Sequence, residues 1–243
     1  MKTNRLLITM LLPLLTGCVI TSSYTYKDAD KYTEYSEPLT ITNTITDLEI
    51  DWIGGSVTIT KGETFVFSEE KHDYPLYYWN KSEQKQLIIQ CLKSGTDTTN
   101  FDFSKKNLTV TIPYSLKSLT LDVVSASYDI DLGNVDNLTI NAVSGNGDVV
   151  LESNKVLDFD TVSGSGDFAL KSTLEQDKIE LDSVSGNITL NLDGTRGFNL
   201  DFDSVSGTRK DNFGEPTEPS LARYNITCDT ISANLKINKL TQE

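Results

Sequence analysis

The sequence has little of what most enzyme active sites require. It contains one histidine, His72, and after residue 17 only three arginines, Arg196, Arg209 and Arg223. A nucleophilic serine needs a base close by, and lyases of anionic polysaccharides stabilise their substrate with basic side chains. These scarcities disfavour both classes, so we predict no catalytic residue and no enzymatic activity.

Cysteine is scarce as well. Apart from Cys18 the chain has only Cys91 and Cys228, which lie far apart within apolar alternation. They are interpreted as buried free thiols, although export of the chain would also permit a disulfide between them. Two cysteines and one histidine give no zinc-ligand spacing, and no cofactor is predicted.

Basic residues are fewer than acidic residues. No segment after residue 18 has helical periodicity. The lack of helices argues against leucine-rich and ankyrin repeats. The formal net charge of −14 becomes −16 when residues 1–17, which hold two basic residues and no acid, are removed. Such a chain is repelled by nucleic acids and anionic headgroups, which leaves cations, basic proteins or neutral glycans as partners.

Residues 1–17 have the organisation of a signal peptide. Lys2 and Arg5 precede an apolar run that ends at Leu15 and is too short to span a bilayer, which requires about 20 residues. The run leads into Leu-Thr-Gly-Cys18, which resembles the lipobox of bacterial lipoproteins. The resemblance implies lipidation of Cys18 and an anchor on the extracytoplasmic side of the cell membrane or envelope. An ordinary signal peptide with a chance cysteine, or an N-terminal helical anchor, is the alternative.

The following segment, residues 18–37, is rich in Thr, Ser, Tyr and Asp and poor in apolar residues. It is predicted to be a tether that lifts the domain away from the membrane.

An internal repeat dominates the rest of the chain. Six segments share the pattern apolar-x-apolar-Asp/Asn-x-Val/Ile-Ser-Gly/Ala, and a seventh at Leu48 lacks only the serine. They are LTLDVVSA from Leu119, LTINAVSG from Leu138, LDFDTVSG from Leu157, IELDSVSG from Ile179, LDFDSVSG from Leu200 and ITCDTISA from Ile226. Each repeat is predicted to form a strand, a Ser-Gly corner where glycine allows positive φ, and a second short strand.

Stacking such repeats in parallel buries one continuous apolar column. The sequence therefore predicts an all-β fold, a β-solenoid (parallel β-helix-like) of about seven coils. Residues 119–243 form its regular part. Residues 38–118 form an irregular N-terminal part with strands over 63–68, 86–92 and 108–112, whose outer coils serve as a cap.

The repeats, together with the segment Leu108-Thr-Val-Thr-Ile-Pro113, resemble the bacterial putative-adhesin family of unknown function. The resemblance covers about residues 40–240. It implies a short-coiled β-solenoid domain of a kind found on lipoproteins, and it supplies no catalytic residue.

An acidic ladder is the first candidate site. The same repeat position is occupied by Asp51, Asp122, Asn141, Asp160, Asp182, Asp203 and Asp229. Stacked about 4.8 Å apart, these carboxylates would repel one another, and a cation such as calcium could relieve them, with Asp122, Asp160, Asp182 and Asp203 as ligands. The alternative is that each carboxylate caps the corner by accepting backbone N–H bonds, which an asparagine can also do.

The repeated serines and an aromatic segment are two further candidate groups. The repeated serines (Ser125, Ser144, Ser163, Ser185, Ser206 and Ser232) have the regularity of a structural corner rather than of a nucleophile. The segment from His72 to Trp79 brings together Tyr74, Tyr77, Tyr78 and Trp79, which could form a binding platform for sugars or a partner. The favoured alternative is that these rings cover an exposed end of the solenoid.

The predicted function is a non-enzymatic surface lipoprotein that acts as an adhesin or binds an envelope component, either a glycan or an envelope protein. The alternatives are a regulatory or sensory lipoprotein that binds a small ligand or a cation such as calcium, and a structural spacer.

The anchor can be tested by Cys18→Ser. Because lipidation requires the thiol, we expect the variant to lose labelling by a radioactive or clickable fatty acid and to remain unprocessed or be shed. The measurement is lipid labelling with cell fractionation. Normal processing and membrane retention of the variant would contradict the anchor.

Overall fold

The computed structural model describes residues 23–36, 39–70, 73–171, 178–221 and 223–240. The predicted signal peptide, Cys18 and His72 lie outside these residues. The regular structure of the described residues is strand, apart from two short 3₁₀ turns at Ala29–Lys31 and Ser82–Gln84. None of its helices has the length and apolar character needed to cross a membrane.

The strands are named in chain order. They are β1 (Ser23–Tyr24), β2 (Thr33–Glu34), β3 (Leu39–Ile41), β4 (Asp47–Trp52), β5 (Ser56–Lys61), β6 (Phe65–Glu69), β7 (Tyr77–Lys81), β8 (Gln86–Gln90), β9 (Thr96–Asp97), β10 (Asn107–Ile112), β11 (Leu116–Val123), β12 (Ser127–Ala142), β13 (Asn146–Thr161), β14 (Ser165–Leu170), β15 (Lys178–Ser183), β16 (Asn187–Leu192), β17 (Phe198–Ser204), β18 (Arg209–Asn212), β19 (Tyr224–Thr230) and β20 (Asn234–Lys239).

Parallel pairing of equivalent strands produces the predicted β-solenoid, whose two faces are called here the first and second sheets. The long strands β12 and β13 bend and contribute their N-terminal halves to the second sheet and their C-terminal halves to the first. The parallel order of the first sheet is β8-β4-β11-β12-β13-β15-β19-β17. That of the second is β10-β5-β12-β13-β14-β16-β20-β18.

The core is the column of alternating apolar side chains between the two sheets. Leu138 and Ile140 of the first sheet are fully buried, as are Ile130 and Val149 of the second. Phe159 belongs to the first sheet, and its ring meets that of Phe168 in the second at 5.1 Å, which shows that the sheets face each other. Each fully buried side chain of this kind contributes about 1.5–3 kcal/mol.

Stacking explains two of the corner glycines, whereas Gly186 has the positive φ that the sequence pattern predicted. Gly145 and Gly164 do not have positive φ. A Cβ on Gly145 would lie 2.3 Å from the carbonyl oxygen of Ala126, and one on Gly164 would lie 2.2 Å from that of Gly145. At these two corners the chain therefore sits directly against the carbonyl of the neighbouring coil, and glycine is favoured because a Cβ does not fit there, whereas the corners at Ala126 and Ala233 accept one.

The coils do not stack in chain order at the C-terminal end. The last coil, β19 and β20, lies between β15–β16 and β17–β18. Register explains why: Arg209 and Asp211 of β18 occupy positions that hold Leu235 and Ile237 in β20. Those charges are exposed, whereas the two apolar residues are buried. A coil with charges at its inward positions is tolerated only at the end of the stack.

The N-terminal part closes the other end with antiparallel strands. In the first sheet β7 pairs with β8, and β2 pairs with β7; in the second, β6 pairs with β10, and β3 pairs with β6. The segment Tyr77–Lys81, which lies outside the strands predicted for the irregular part, is therefore a closing strand. It protects an edge that would otherwise be open to strand addition.

The prediction of a tether over residues 18–37 is wrong for the described part of that segment. Tyr35 is buried, β1 pairs with β9, and β2 pairs with β7. Ile88, at an outward position of β8 beside Glu49, is also buried. Residues 23–36 form part of the domain, because their tyrosines pack on its aromatic residues.

A buried ion pair stabilises this N-terminal end. The Lys106 ammonium contacts the Glu69 carboxylate, and both side chains are almost completely inaccessible to solvent. Lys106 also donates to the Tyr74 carbonyl at 2.9 Å, while Glu69 accepts the Leu76 N–H at 2.8 Å. The Lys106 carbonyl in turn accepts the indole N–H of Trp52 at 2.8 Å. The pair thereby links the core to the loop before β7.

Removal of one partner of the buried Lys106–Glu69 pair should destabilise the domain. We expect Lys106→Met to lower the free energy of unfolding by about 3–5 kcal/mol, because it leaves Glu69 buried without a counter-charge. The measurement is urea denaturation followed by circular dichroism. The matched control is Lys155→Met in the exposed pair with Asp136, where about 1 kcal/mol or less is expected. Equal effects would contradict the role of the buried pair.

Candidate functional site

The acidic ladder runs along the outer surface of the first sheet. Strand pairing places its members side by side in the order Gln90, Asp51, Asp122, Asn141, Asp160, Asp182, Asp229 and Asp203. A second acidic position, two residues earlier, contributes Glu49, Asp158, Glu180 and Asp201. The outer surface of this sheet therefore holds a dense row of carboxyl groups.

Three ladder carboxyl groups have a pKa raised to about 6 or about 7, with burial as the largest cause and repulsion from neighbouring carboxyl groups as the next. Burial, followed by repulsion from Asp122, raises the pKa of Asp51 to about 7. Burial, followed by repulsion from Asp158 and Asp182, raises the pKa of Asp160 to about 7. Burial, followed by repulsion from Asp229, raises that of Asp182 to about 6. Near neutral pH these groups are therefore partly protonated.

Amide side chains relieve part of this repulsion at one end of the row. Asn141 donates to an Asp122 carboxylate oxygen at 2.5 Å, and the Gln90 amide donates to Asp51. One oxygen of Asp160 is buried and has no hydrogen-bond partner among the described residues. Protein groups thus supply hydrogen bonds to the carboxylates of Asp51 and Asp122, and they supply fewer to that of Asp160.

Hydroxyl groups take the corner-capping role that was weighed for the carboxylates. The hydroxyl of Thr161 accepts the Gly164 N–H at 2.8 Å, and that of Thr230 accepts the Ala233 N–H at 2.8 Å. Both threonines directly follow a ladder aspartate. The ladder carboxylates are therefore left to face outward, and the capping interpretation of their position is wrong at these corners.

The repeated serines form a second, structural ladder. Each hydroxyl donates to a main-chain carbonyl of the neighbouring coil, with donor–acceptor distances between 2.9 and 3.3 Å. They are Ser125, Ser144, Ser163, Ser185, Ser206 and Ser232. A hydroxyl engaged in this way contributes to coil stacking, and the equivalence of all six sites has no counterpart in a catalytic nucleophile.

A cleft lies where the N-terminal segment crosses the ladder; it is called here the acid–tyrosine cleft. Its volume is about 610 Å³. Its carboxylate floor is Asp51, Asp122 and Asp160, its aromatic wall is Tyr24 and Tyr26, and its apolar wall is Ile53, Val124 and Val143. Val124 is 47% exposed. The cleft thus combines negative charge with an apolar surface.

Hydrogen bonds and ring contacts hold the aromatic wall in place. The Tyr24 hydroxyl donates to the Gln90 side-chain oxygen at 2.6 Å. The Tyr26 ring lies 5.6 Å from that of Tyr24 and 4.6 Å from that of Tyr32, which in turn lies 5.7 Å from Trp79. Sequence analysis missed Tyr24 and Tyr26 because a polar segment before the first repeat has no periodicity that would indicate packing.

The four aromatic residues of the predicted platform do not share one surface. Tyr74 contacts the ring of Phe101 at 5.0 Å, and Tyr78 contacts that of Phe67 at 5.2 Å. The Tyr77 hydroxyl donates a hydrogen bond to the Glu34 carboxylate. The Trp79 ring contacts that of Tyr32. Because the rings are divided among four different neighbours, they cover the N-terminal end of the solenoid, and a flat stacking platform is not formed.

Metal binding receives no support from the described residues. No three His, Cys, Asp or Glu side chains in those segments converge in a way that could hold a metal ion. Cys91 and Cys228 are both buried and free. Burial raises the pKa of each thiol to about 12, so both remain protonated and unreactive.

A family model and one solved structure agree with this architecture. The family model described as Toastrack DUF4097 matches residues 42–237. No curated protein matches the sequence. A solved structure described as a putative cell adhesion protein from Clostridium sporogenes is similar with a TM-score of 0.50 at 14% identity, covering 86% of this chain and 100% of that one. A putative adhesin from Bacteroides fragilis has a TM-score of 0.35 at 14% identity, with coverage of 85% and 99%.

The raised pKa values predict that the domain loses stability as the pH rises. An unfolded aspartate has a pKa of about 4, so between pH 4 and 7 the folded chain retains protons that the unfolded chain has released. Stability contributed by Asp51 and Asp160 is therefore complete below pH 4 and is lost as the pH rises through 7.

Asp160→Asn should remove one of these contributions. We expect the variant to be more stable than the parent at pH 8, by on the order of 1 kcal/mol after screening by solvent, and little changed at pH 5. The neighbouring Asn141 shows that the position accepts an amide. The measurement is the melting temperature of both proteins across this range. A difference that does not depend on pH would contradict the assignment.

Proposed function

We propose that this chain, which belongs to the Toastrack DUF4097 family, is a non-enzymatic, adhesin-like binding module held outside the cytoplasmic membrane by a lipid on Cys18. Support for a binding role comes from the way the repeat uses its polar groups. The hydroxyls of the serine ladder are committed to coil stacking, while the carboxylates of the first sheet face outward. The solenoid thus presents a rigid charged surface, while its repeated serine hydroxyls are used in coil stacking.

The acid–tyrosine cleft is the observation that carries the proposal. Binding sites are commonly concave and largely apolar, with a few convergent polar groups. Here Asp51, Asp122 and Asp160 line one cleft with Tyr24 and Tyr26, together with the exposed Val124 and the half-buried Val143. The ligand that matches this lining is a cationic group on an apolar stem, such as a lysine or arginine side chain of an envelope protein.

Electrostatics favour such a ligand in two ways. A bound cation would stabilise the charged forms of Asp51 and Asp160, whose pKa of about 7 reflects burial and mutual repulsion. The alkyl stem of lysine or arginine would cover Val124 and Val143 while its charged end meets the carboxylates. The overall negative charge of the protein would also speed the approach of a basic partner.

Binding of an oligolysine peptide to the full chain in detergent tests the proposal. We expect saturable binding at pH 8 that weakens towards pH 5 as Asp51 and Asp160 become protonated, measured by isothermal titration calorimetry. Asp122→Asn should weaken binding about fivefold or more, because it removes a charge from the floor of the cleft.

The matched control is Asp131→Asn. It removes the same charge from an exposed position on the outer surface of the second sheet. Equal loss of affinity in both variants would show that the peptide responds to net charge rather than to the cleft. Binding of neutral glycans with no binding of the peptide would contradict the proposed ligand chemistry.

A further inference from the structure

The corners that follow the first sheet carry a row of apolar side chains, called here the apolar ridge. In each repeat the residue two positions after the ladder position is Val or Ile, and its carbonyl accepts the N–H of the repeated serine in the next coil of the stack. In stacking order the ridge is Ile53, Val124, Val143, Val162, Val184, Ile231 and Val205. None of these side chains is buried, and Val205 is 79% exposed. The solenoid thus keeps an apolar line on its surface.

The ridge lies beside the acidic ladder along its whole length. Because side chains alternate along a strand, a residue two positions after an outward aspartate faces the same side, about 7 Å away. The acid–tyrosine cleft has this arrangement, since Asp122 and Val124 line it together. Beyond the cleft the same pairing recurs as Asp160 and Val162, Asp182 and Val184, Asp229 and Ile231, and Asp203 and Val205. The outer surface therefore has an acidic stripe and an apolar stripe side by side.

The acidic stripe has no basic counterpart within the described residues. None of the ladder aspartates takes part in an ion pair there. Apolar patches that are exposed and bordered by polar groups mark sites of interaction. Charge complementarity then selects the partner, because basic groups would neutralise the ladder and acidic groups would be repelled by it. The partner that fits carries a basic stripe beside an apolar stripe.

The coil spacing determines the shape of that partner. Coils repeat at about 4.8 Å. An α-helix presents a side chain on one face about every 5.4 Å, whereas an extended strand presents one about every 6.8 Å. A helix therefore keeps its apolar side chains over the ridge for several coils, and a strand loses register within two or three. From Val124 to Val205 the ridge covers five coil spacings, about 24 Å, which is the length of about 16 helical residues.

We propose that the apolar ridge and the acidic ladder together form a docking surface for a basic amphipathic α-helix of a partner protein, which lies along the axis of the solenoid. Its apolar stripe packs on the ridge, and its lysine or arginine side chains reach over the ladder with their alkyl stems on the ridge. This inference rests on the proposed binding of a cationic side chain in the acid–tyrosine cleft, which becomes one end of the longer surface.

Two synthetic peptides of identical composition test the shape of the partner. Both contain about 16 residues of leucine, lysine and alanine, one ordered with the apolar period of a helix and the other with strict alternation. The full lipidated chain is held in neutral phosphatidylcholine nanodiscs at pH 8, and empty discs give the background. We expect the helical pattern to bind about tenfold tighter or more by fluorescence anisotropy, with a gain of helical signal in circular dichroism. Equal affinities, or binding without that gain, would overturn the inference.

Peptide length gives a second measurement on the parent protein. Because each added turn covers one more coil, affinity should rise as the helical peptide is lengthened from about 8 to about 16 residues and should change little beyond that length. An affinity that is already maximal at about 8 residues would show that the ridge beyond the cleft does not take part, and it would overturn the inference.

A double variant at the far end of the surface tests the extension beyond the cleft. Asp203→Asn/Val205→Ser removes one charge and one exposed apolar side chain from the end coil. We expect it to bind the helical peptide of about 16 residues about fivefold more weakly or worse. Binding of trilysine, which is short enough to fit within the cleft, should not change.

The matched control is Asp131→Asn/Val150→Ser. It makes the same two changes at neighbouring positions on the outer surface of the second sheet, and it should bind both peptides as the parent does. Circular dichroism of each variant checks that it is folded. Equal loss in the two double variants, or no loss in the far-end variant, would overturn the inference.

The two proposals fail in different ways. A parent that binds trilysine but binds the helical peptide no more tightly overturns the docking surface and leaves the proposed ligand of the cleft in place. A parent that binds neither peptide contradicts both proposals.

Discussion

The parallel stacking of equivalent strands is the constraint on which the rest of this structure depends. Because each coil repeats the one before it at a spacing of about 4.8 Å, every repeat position becomes a ladder of like residues. For Leu138 and Leu157 this is favourable, since the result is a continuous buried column. For Asp160 and Asp182 it is unfavourable, and the repulsion appears as raised pKa values. The core and the charged surface are thus two consequences of one geometry.

Irregular features of the chain moderate that constraint. Asn141 interrupts the carboxylate row and donates to Asp122, while Gln90 does the same for Asp51 at the start of the row. The N-terminal tyrosines then lie across this part of the ladder and form the cleft with it. The site we propose for a cationic ligand is therefore located where the repeat meets non-repeating chain, because only there can side chains of different types converge on the row.

The sequence predicts the regular part of the molecule well and its two ends poorly. Seven repeat copies, their register and the buried columns follow from the period-2 pattern, and the β-solenoid fold is confirmed. The strand at Tyr77–Lys81 and the packing of Tyr24 and Tyr26 were not anticipated, because antiparallel closure and cover by a polar segment leave no periodic signal. The inverted order of the last two coils does have a signal in the sequence, namely Arg209 and Asp211 at inward positions of β18.

The coil can be predicted from the sequence alone, because alternation of apolar and polar residues and a small corner residue are local requirements that every repeat meets. The sequence also determined the acidity of the outer surface, which follows from composition and register. Which coil is last and which residues from distant segments meet above the ladder become visible only once the chain is folded. Both depend on which of several segments packs against a given coil. The pattern within one segment contains no information about how well another segment would pack at the same place.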